Sequence, residues 1–245
     1  MREQVNINTL DGICPATVLR PNGDAPLPAV IFYMDGFGIR PALVDMAERL
    51  ANVGYLVLLP DLYYRRGPYE PLNPTALFAL PNFRELVAPM MASTSNHLAA
   101  KDTAAFLTWL DQRTDVAGTQ IGTTGYCMGG GISLTVAGTY PDRIAAAASF
   151  HGGNLATDSA MSPHLVASKI RGFAYVAGAD KDSSYPPEMA DRLEQALTQG
   201  NVPHRCEIFA DALHGWTMTD FPVYNEAANE RHWHELKALF EKTLS

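Results

Sequence analysis

The chain has 245 residues, of which 47% are hydrophobic and 18% are charged, and its formal net charge is −8 at pH 7. We expect one domain over residues 1–245 that does not bind nucleic acid, because no linker divides the chain and no large cluster of lysine or arginine occurs. No apolar run could cross a bilayer, no signal-peptide pattern is present, and the three cysteines lack CxxC spacing, which predicts a cytoplasmic protein without membrane contact.

Strands and one helix alternate in the first part of the sequence. Asp11-Gly12 separates two short apolar segments and is typical of the turn of a β-hairpin. Helical spacing of apolar residues follows Pro41, a residue type favoured at the first position of a helix. In chain order the predicted elements are hairpin strands at 5–8 and 14–19, a buried strand Ala29–Tyr33, a helix from Pro41, a strand at 55–59 and a long irregular stretch at 60–95.

The rest of the chain continues the alternation. The predicted elements are a helix at 98–110, a strand at 120–124, a helix Met128–Thr139, a strand Ile144–Phe150, a strand at 173–177, a helix around 189–197, a strand at 206–209 and a last helix around 233–240. Buried strands joined by helices indicate an α/β protein with a doubly wound, mostly parallel sheet. We find no internal repeat.

Residues 125–131 read Gly-Tyr-Cys-Met-Gly-Gly-Gly and lie between a predicted strand and a predicted helix. The pattern is typical of the nucleophile elbow of α/β-hydrolases, a sharp turn that presents a nucleophile at the top of the sheet. Gly125 and Gly129 would supply the space that this strained turn needs, and the helix beginning at Met128 would favour a thiolate on Cys127. The alternative is a buried cysteine that merely precedes a glycine-rich turn.

Candidate acid and base residues follow Cys127 in the order that this fold requires, which is nucleophile, acid and histidine. Asp180 and Asp182 come after the strand at 173–177, and His214 comes after the strand at 206–209. Each candidate therefore lies beyond the carboxyl end of a strand, the sheet edge at which open α/β sheets place their chemistry.

Four segments of the chain resemble the dienelactone hydrolase family. They are residues 34–38, residues 59–63, the cysteine elbow at 125–130 and the pair at 214–215. The resemblance covers nearly the whole chain and implies a single-domain α/β-hydrolase fold without a large lid. It also implies hydrolysis of a small ester or lactone with neither cofactor nor metal, by a monomer or a homodimer.

Carried over position by position, the resemblance makes Cys127 the nucleophile and His214 its base. It favours Asp182 over Asp180 as the acid, because the spacing to the proline downstream fits the family. The backbone N–H groups of Gly36 and Met128 would form the oxyanion hole, and both positions are ones that this fold uses for that purpose.

Asp35 stands where the family has a glutamate that governs ionisation of the thiol. Its side chain is one methylene shorter, and the alternative is that Asp35 only caps the loop before the helix at Pro41. Phe37, His151 and Trp216 are candidates for the substrate pocket. His151 has a second interpretation, in which it is a loop histidine with a simple hydrogen-bond partner.

The chain departs from the family after His214, where residues 215–219 contain no arginine to hold a substrate carboxylate. A more apolar ester would suit such a pocket, so a general carboxylesterase or a thioesterase of the same mechanism is an alternative function. A non-catalytic ligand-binding protein with a redox-active Cys127 is another. His232 and His234 are two apart on a predicted helix and would point to different faces, so we predict no metal site there.

Overall fold

Eight strands form one continuous sheet in the computed structural model, which describes residues 1–244. The strands are β1 (Arg2–Thr9), β2 (Gly12–Leu19), β3 (Ala29–Tyr33), β4 (Leu56–Pro60), β5 (Ile121–Tyr126), β6 (Ile144–Phe150), β7 (Phe173–Lys181) and β8 (His204–Leu213). Their order across the sheet is β1-β2-β4-β3-β5-β6-β7-β8. The pairs β1–β2 and β2–β4 are antiparallel and every other pair is parallel, which confirms the predicted mostly parallel sheet.

Helices cover both faces of this sheet. They are α1 (Pro41–Ala51), α2 (Pro74–Phe78), α3 (Phe83–Met91), α4 (Asn96–Asp111), α5 (Met128–Thr139), α6 (His164–Ala167), α7 (Pro187–Gln199) and α8 (Glu226–Thr243). Two glycines of β5 show which helix packs on which face of the sheet. A Cβ on Gly122 would contact Phe240 of α8, whereas a Cβ on Gly125 would contact Gly129 of α5 on the opposite face. On the α8 face, α1 lies beside α8, and on the other face α4 and α6 contact α5.

The core is deepest in the middle of the sheet, where every residue of β3, β4 and β5 is buried. Burial on both faces explains why these strands read as continuous apolar runs, with small residues in β5 where helices approach closely. Since β3, β5, β6, β7 and β8 run parallel, the loops that follow them meet at one edge of the sheet.

The sequence predicts a long irregular stretch at 60–95, and this prediction is wrong. It contains a short 3-10 turn (Tyr64–Arg66) together with α2 and α3. Asn73 caps α2, since its side chain accepts a hydrogen bond from the Ala76 N–H, and a proline occupies the first helical position. These helices have five and nine residues, too few to give a clear helical period, and α3 contains Pro89.

The last two strands are longer than predicted. β7 continues to Lys181 and β8 to Leu213, so Asp180 lies within β7 and Asp182 is the first residue beyond it. The two strands remain paired through a register shift between Ala179 and Lys181. An irregularity of this kind turns side chains in new directions at a strand end, which sequence alternation does not reveal.

Candidate active site

Cys127 lies at a sharp turn between β5 and α5, with φ 53° and ψ −112°. This is a strained conformation for a residue other than glycine. A Cβ on Gly125 would lie 1.9 Å from the Gly129 carbonyl oxygen, and a Cβ on Gly129 would lie 2.3 Å from the Tyr33 carbonyl oxygen. Both contacts are with backbone atoms that cannot move aside, so the turn requires glycine at both positions.

His151 supports this turn from below. The Cys127 N–H donates to Nδ1 of His151 and to the Phe150 carbonyl oxygen, both at 3.1 Å. Because Nδ1 accepts, Nε2 carries the proton and donates to Oγ1 of Thr217 at 2.7 Å. Burial, together with the nearby His214, lowers the pKa of His151 well below its ordinary value, so the ring is neutral. His151 is fully buried and does not line an open pocket, in contrast to the pocket prediction.

His214 is paired with Asp182 and not with Asp180. Nδ1 of His214 lies 2.7 Å from Oδ2 of Asp182, whose side chain is only 1% exposed. Asp180 is exposed, and its carboxylate accepts a hydrogen bond from the Asp211 N–H of the neighbouring strand. The geometry thus separates the two aspartates, one beside the histidine and the other on the sheet edge.

Ser184 completes the surroundings of Asp182. Its hydroxyl donates to Oδ1 of Asp182 at 2.6 Å, its N–H donates to the same oxygen at 2.8 Å, and its Oγ lies 3.2 Å from Nδ1 of His214. Burial acts to raise the pKa of Asp182, but His214 and Ser184 outweigh it and the pKa is lowered. Sequence reasoning missed Ser184, although a serine two residues after an aspartate is a common turn pattern.

His214 itself is a strongly basic group in this setting. Burial acts against its charged form, but the Cys127 sulfur and the Asp182 carboxylate raise the pKa of His214 to about 10. The raised pKa favours the protonated imidazole, which lies between a carboxylate on one side and the half-buried Cys127 on the other. Such an arrangement favours an ion pair of thiolate and imidazolium.

One tyrosine hydroxyl contacts both of the residues that are predicted to supply the oxyanion donors. Met128 is the first residue of α5, where backbone N–H groups have no partner within the helix. The Tyr63 hydroxyl links the two positions, since it donates to the Gly36 carbonyl oxygen at 2.8 Å and lies 3.9 Å from Sδ of Met128. Tyr63 is fully buried, and sequence reasoning did not identify it.

Gly36 stands in a tight turn after β3. The Asp35 carbonyl oxygen accepts a hydrogen bond from the Gly38 N–H at 3.3 Å. In a trans peptide the C=O and N–H groups point in opposite directions, so the Gly36 N–H is directed away from the inside of the turn. A Cβ on Gly36 would lie 3.1 Å from Sδ of Met91, so the side chain of Met91 covers this backbone.

The Asp35 carboxylate is buried and is bound by a neighbouring arginine. It accepts hydrogen bonds from Nη1 of Arg40 at 2.7 Å, from Nη2 of Arg40 at 2.9 Å and from the Phe37 N–H at 2.9 Å. Within residues 1–244 these two residues are its hydrogen-bond partners. The bond to the Phe37 N–H is of the loop-capping kind that the sequence offers as the alternative, while an action on the Cys127 thiol stays a prediction.

Two aromatic candidates for the substrate pocket are buried. Phe37 packs against Phe78 and Phe221, with ring centroids 5.2 and 5.0 Å away. Trp216 is fully buried and lies edge-on to His151 at 4.9 Å, so it supports the histidine and does not line an open pocket. The sequence predicts these residues near the site, but it does not show whether a side chain lines the substrate pocket or packs behind the residues that do.

His232, on the last helix, lies in the core of the protein. It is fully buried, and its Nε2 lies 2.8 Å from the hydroxyl of Tyr126. Residues 1–244 contain no group of three or more histidine, cysteine, aspartate or glutamate side chains placed to hold a metal ion. Over the same residues, no helix has the length and apolar character that crossing a membrane would require.

A comparison with protein-family models assigns the chain to one family. The family model described as "Dienelactone hydrolase family" matches residues 14–244. Two proteins named "Putative carboxymethylenebutenolidase", from Synechocystis sp. (strain ATCC 27184 / PCC 6803 / Kazusa) and Escherichia coli (strain K12), are each 28% identical to the chain. These alignments cover 89% and 93% of this chain, and 87% and 82% of the two relatives.

A solved structure shows the same fold. The crystal structure of a "Putative Dienelactone Hydrolase" from Klebsiella pneumoniae subsp. pneumoniae MGH 78578 superposes with a TM-score of 0.83 at 23% sequence identity. The superposition covers 98% of both chains and confirms the predicted α/β-hydrolase fold.

Proposed function

The chain belongs to the dienelactone hydrolase family, and we propose that it hydrolyses a small ester or lactone through Cys127, His214 and Asp182. The observation that carries this proposal is the position of His214. Its Nδ1 lies 2.7 Å from the buried Asp182 carboxylate, and the Cys127 sulfur helps to raise its pKa to about 10. A base held in this way beside a cysteine is the arrangement that nucleophilic catalysis needs.

In the first half of the reaction the Cys127 thiolate attacks the carbonyl carbon of the substrate. The carbonyl oxygen becomes an oxyanion that accepts hydrogen bonds from the N–H groups of Gly36 and Met128. When this intermediate collapses, the bond to the leaving oxygen breaks, and that oxygen takes a proton from the His214 imidazolium. A thioester on Cys127 remains.

In the second half a water molecule attacks the thioester while the neutral His214 accepts one of its protons. A second oxyanion forms at the same two donors and collapses with release of the acid, which regenerates the thiolate and the imidazolium. Asp182 orients His214 and stabilises its charged form, and Ser184 holds Asp182.

The chemistry around the site favours an uncharged substrate. No arginine follows His214 within residues 215–219, and Arg40, which lies next to the loop of Gly36, is already bound to Asp35 and Asp220. A substrate carboxylate would therefore have no free cation in either segment. This observation supports a general carboxylesterase for neutral esters as the second candidate, with the same mechanism.

Turnover of a substrate panel tests the proposal. The panel contains p-nitrophenyl acetate and butyrate, an uncharged lactone, an acyl thioester and a dienelactone that carries a carboxylate. We expect hydrolysis of at least one neutral ester or lactone, with losses of several orders of magnitude in Cys127→Ala and His214→Ala. Cys206→Ala is the matched control and should keep full activity. Near-full activity in His214→Ala would exclude this mechanism.

A further inference from the structure

Arg40 is a fully buried arginine that contacts two carboxylates at once. Its side chain is 1% exposed. Besides the two bonds to Asp35, Nε donates to Oδ2 of Asp220 at 2.6 Å and Nη2 donates to Oδ1 of Asp220 at 3.2 Å. Nη1 also donates to the Gly38 carbonyl oxygen at 3.2 Å. A bidentate arginine pair is geometrically specific, and this guanidinium makes two of them.

One end of this contact fixes the turn that carries Gly36. Arg40 binds the side chain of Asp35 before Gly36 and the carbonyl group of Gly38 after it, while Asp35 in turn holds the Phe37 N–H. The peptide unit that contains the Gly36 N–H is therefore bound on both sides. Its direction depends on these bonds, because glycine alone imposes little on its own backbone.

The second carboxylate bound by Arg40, that of Asp220, lies in the segment that follows His214. Asp220 lies six positions after this histidine, and its carbonyl oxygen accepts a hydrogen bond from the Thr75 hydroxyl of α2. Phe221 packs against Phe37 with ring centroids 5.0 Å apart, beneath the guanidinium. Arg40 thus joins the turn of Gly36, the segment after His214 and the first of the two short helices.

The positive charge of Arg40 is retained despite burial. Burial alone would lower the pKa of Arg40, but Asp35 and Asp220 raise it above the usual value for arginine. Removing one partner of such a cluster leaves an uncompensated charge in the protein interior, which is strongly unfavourable. The Asp35 carboxylate is consequently committed to Arg40.

We infer that Arg40 is a positioning residue, which holds the Gly36 N–H in place as an oxyanion donor by clamping Asp35 to Asp220. Asp35 serves the clamp and not the thiol. This inference rests on the proposed function. Since the clamp acts on the oxyanion hole, its loss should impair acyl transfer and leave the reactivity of the Cys127 thiolate unchanged.

Two reactions of the same cysteine separate these roles. Hydrolysis of p-nitrophenyl acetate passes through an oxyanion, whereas alkylation of Cys127 by iodoacetamide requires the thiolate but no oxyanion. In Arg40→Gln we expect kcat to fall by roughly 100-fold, which is the loss that a misplacement by about 1 Å can cause and the lower end of the range for a missing donor, with little change in KM. The alkylation rate should stay within about twofold of wild type across the pH profile, a change of less than 0.5 kcal/mol.

Asp35→Asn and Arg49→Gln complete the comparison. Asp35→Asn should show the same loss of kcat without a shift in the pH profile of alkylation; a shifted profile would return Asp35 to the thiol and overturn the inference. Arg49→Gln removes an arginine of a surface ion pair with Glu230 and should keep wild-type turnover. Equal turnover in Arg40→Gln and wild type, or a parallel fall in alkylation, would equally overturn it.

Two further measurements cover the remaining outcomes. If Arg40→Gln does not fold, Asp220→Asn breaks only the outer half of the clamp, and we expect a smaller loss of kcat with unchanged alkylation. If the wild type hydrolyses no ester, the proposed function fails by itself, and hydrogen exchange of the amides at 36–38 decides the clamp. Faster exchange of these amides in Arg40→Gln, or in Asp220→Asn if Arg40→Gln does not fold, supports the inference. Unchanged exchange contradicts it.

Discussion

Oδ2 of Asp182 lies 2.7 Å from Nδ1 of His214, and the carboxylate that makes this contact is almost completely buried. The contact fixes the ring so that Nε2 is left for the reacting atoms, and it holds the proton on Nδ1. The Ser184 hydroxyl and N–H bind the other carboxylate oxygen. Both oxygens of Asp182 are thus engaged, which leaves the histidine one stable orientation.

The first prediction compares the two neighbouring aspartates. Asp182→Asn should lower turnover of p-nitrophenyl acetate by about 10²- to 10⁴-fold with little change in KM, because an amide favours the wrong imidazole tautomer and does not balance the imidazolium charge. Asp180→Asn is the matched control and should stay near wild type, since its carboxylate accepts a hydrogen bond from the Asp211 N–H and does not contact His214. Circular dichroism shows whether both variants are folded. A larger loss in Asp180→Asn would assign the acid to the other residue.

The second prediction concerns the three thiols. Burial raises the pKa of Cys14 far above its ordinary value and raises the pKa of Cys206 to about 12, whereas Cys127 lies at a helix N-terminus beside His214, whose pKa is raised. At neutral pH, limiting iodoacetamide should therefore modify Cys127 first. Mass spectrometry of the labelled peptides measures the order, and His214→Gln should reduce the preference. Faster labelling of Cys14 or Cys206 in the folded protein would contradict the thiolate assignment.

The third prediction is a dependence of stability on pH above neutrality. The folded pKa of His214 is raised to about 10, above its ordinary value of 6.5. The folded state therefore holds this proton more tightly than the unfolded state, and the resulting stabilisation is complete below about pH 6.5 and is lost as pH rises towards 10. The midpoint of urea unfolding should fall across this interval in the wild type.

His214→Gln is the control for this pH dependence, because it should flatten the profile between pH 6.5 and 10. Cys127→Ala should weaken the slope without abolishing it, since Asp182 still stabilises the imidazolium. A wild-type profile that is flat over this range would show that His214 is not charged in the folded protein.

The main residues of the candidate site each have a local signal in the sequence. The glycines around Cys127, the order of candidate residues and their places after strands are all visible within short segments. The residues that hold these groups in place have no such local signal, because their contacts join positions far apart in the chain. Tyr63 reaches Gly36 and Met128 from the loop after β4, and Thr217 reaches His151 across 66 positions. Periodicity contains no information about such pairs.

The sequence also does not predict the conformation of the chain at the edge of the sheet. Asp180 and Asp182 are two positions apart and both follow a predicted apolar strand, so strand alternation predicts that their side chains point to the same side of the sheet. In the structure Asp180 lies on the surface within β7, whereas Asp182 lies beyond the strand end and beside His214, after a register shift between Ala179 and Lys181. Helices α2 and α3 have no sequence signal for a related reason, since tertiary contacts such as the packing of Phe78 on Phe37 stabilise segments that are too short to show a period.

The last prediction contrasts two glycines of the site by what an added methyl group would meet. In Gly125→Ala the new Cβ would lie 1.9 Å from the Gly129 carbonyl oxygen, a backbone atom, so the elbow must distort. In Gly36→Ala it would lie 3.1 Å from Sδ of Met91, the end of a flexible and exposed side chain that can move. We expect Gly125→Ala to lose about 3 kcal/mol or more of unfolding free energy and Gly36→Ala about 1 kcal/mol or less. Urea denaturation of both variants beside the wild type measures the difference. Since a backbone oxygen cannot move aside as a methionine side chain can, equal losses in the two variants would show that the elbow is less tightly packed than in this structure.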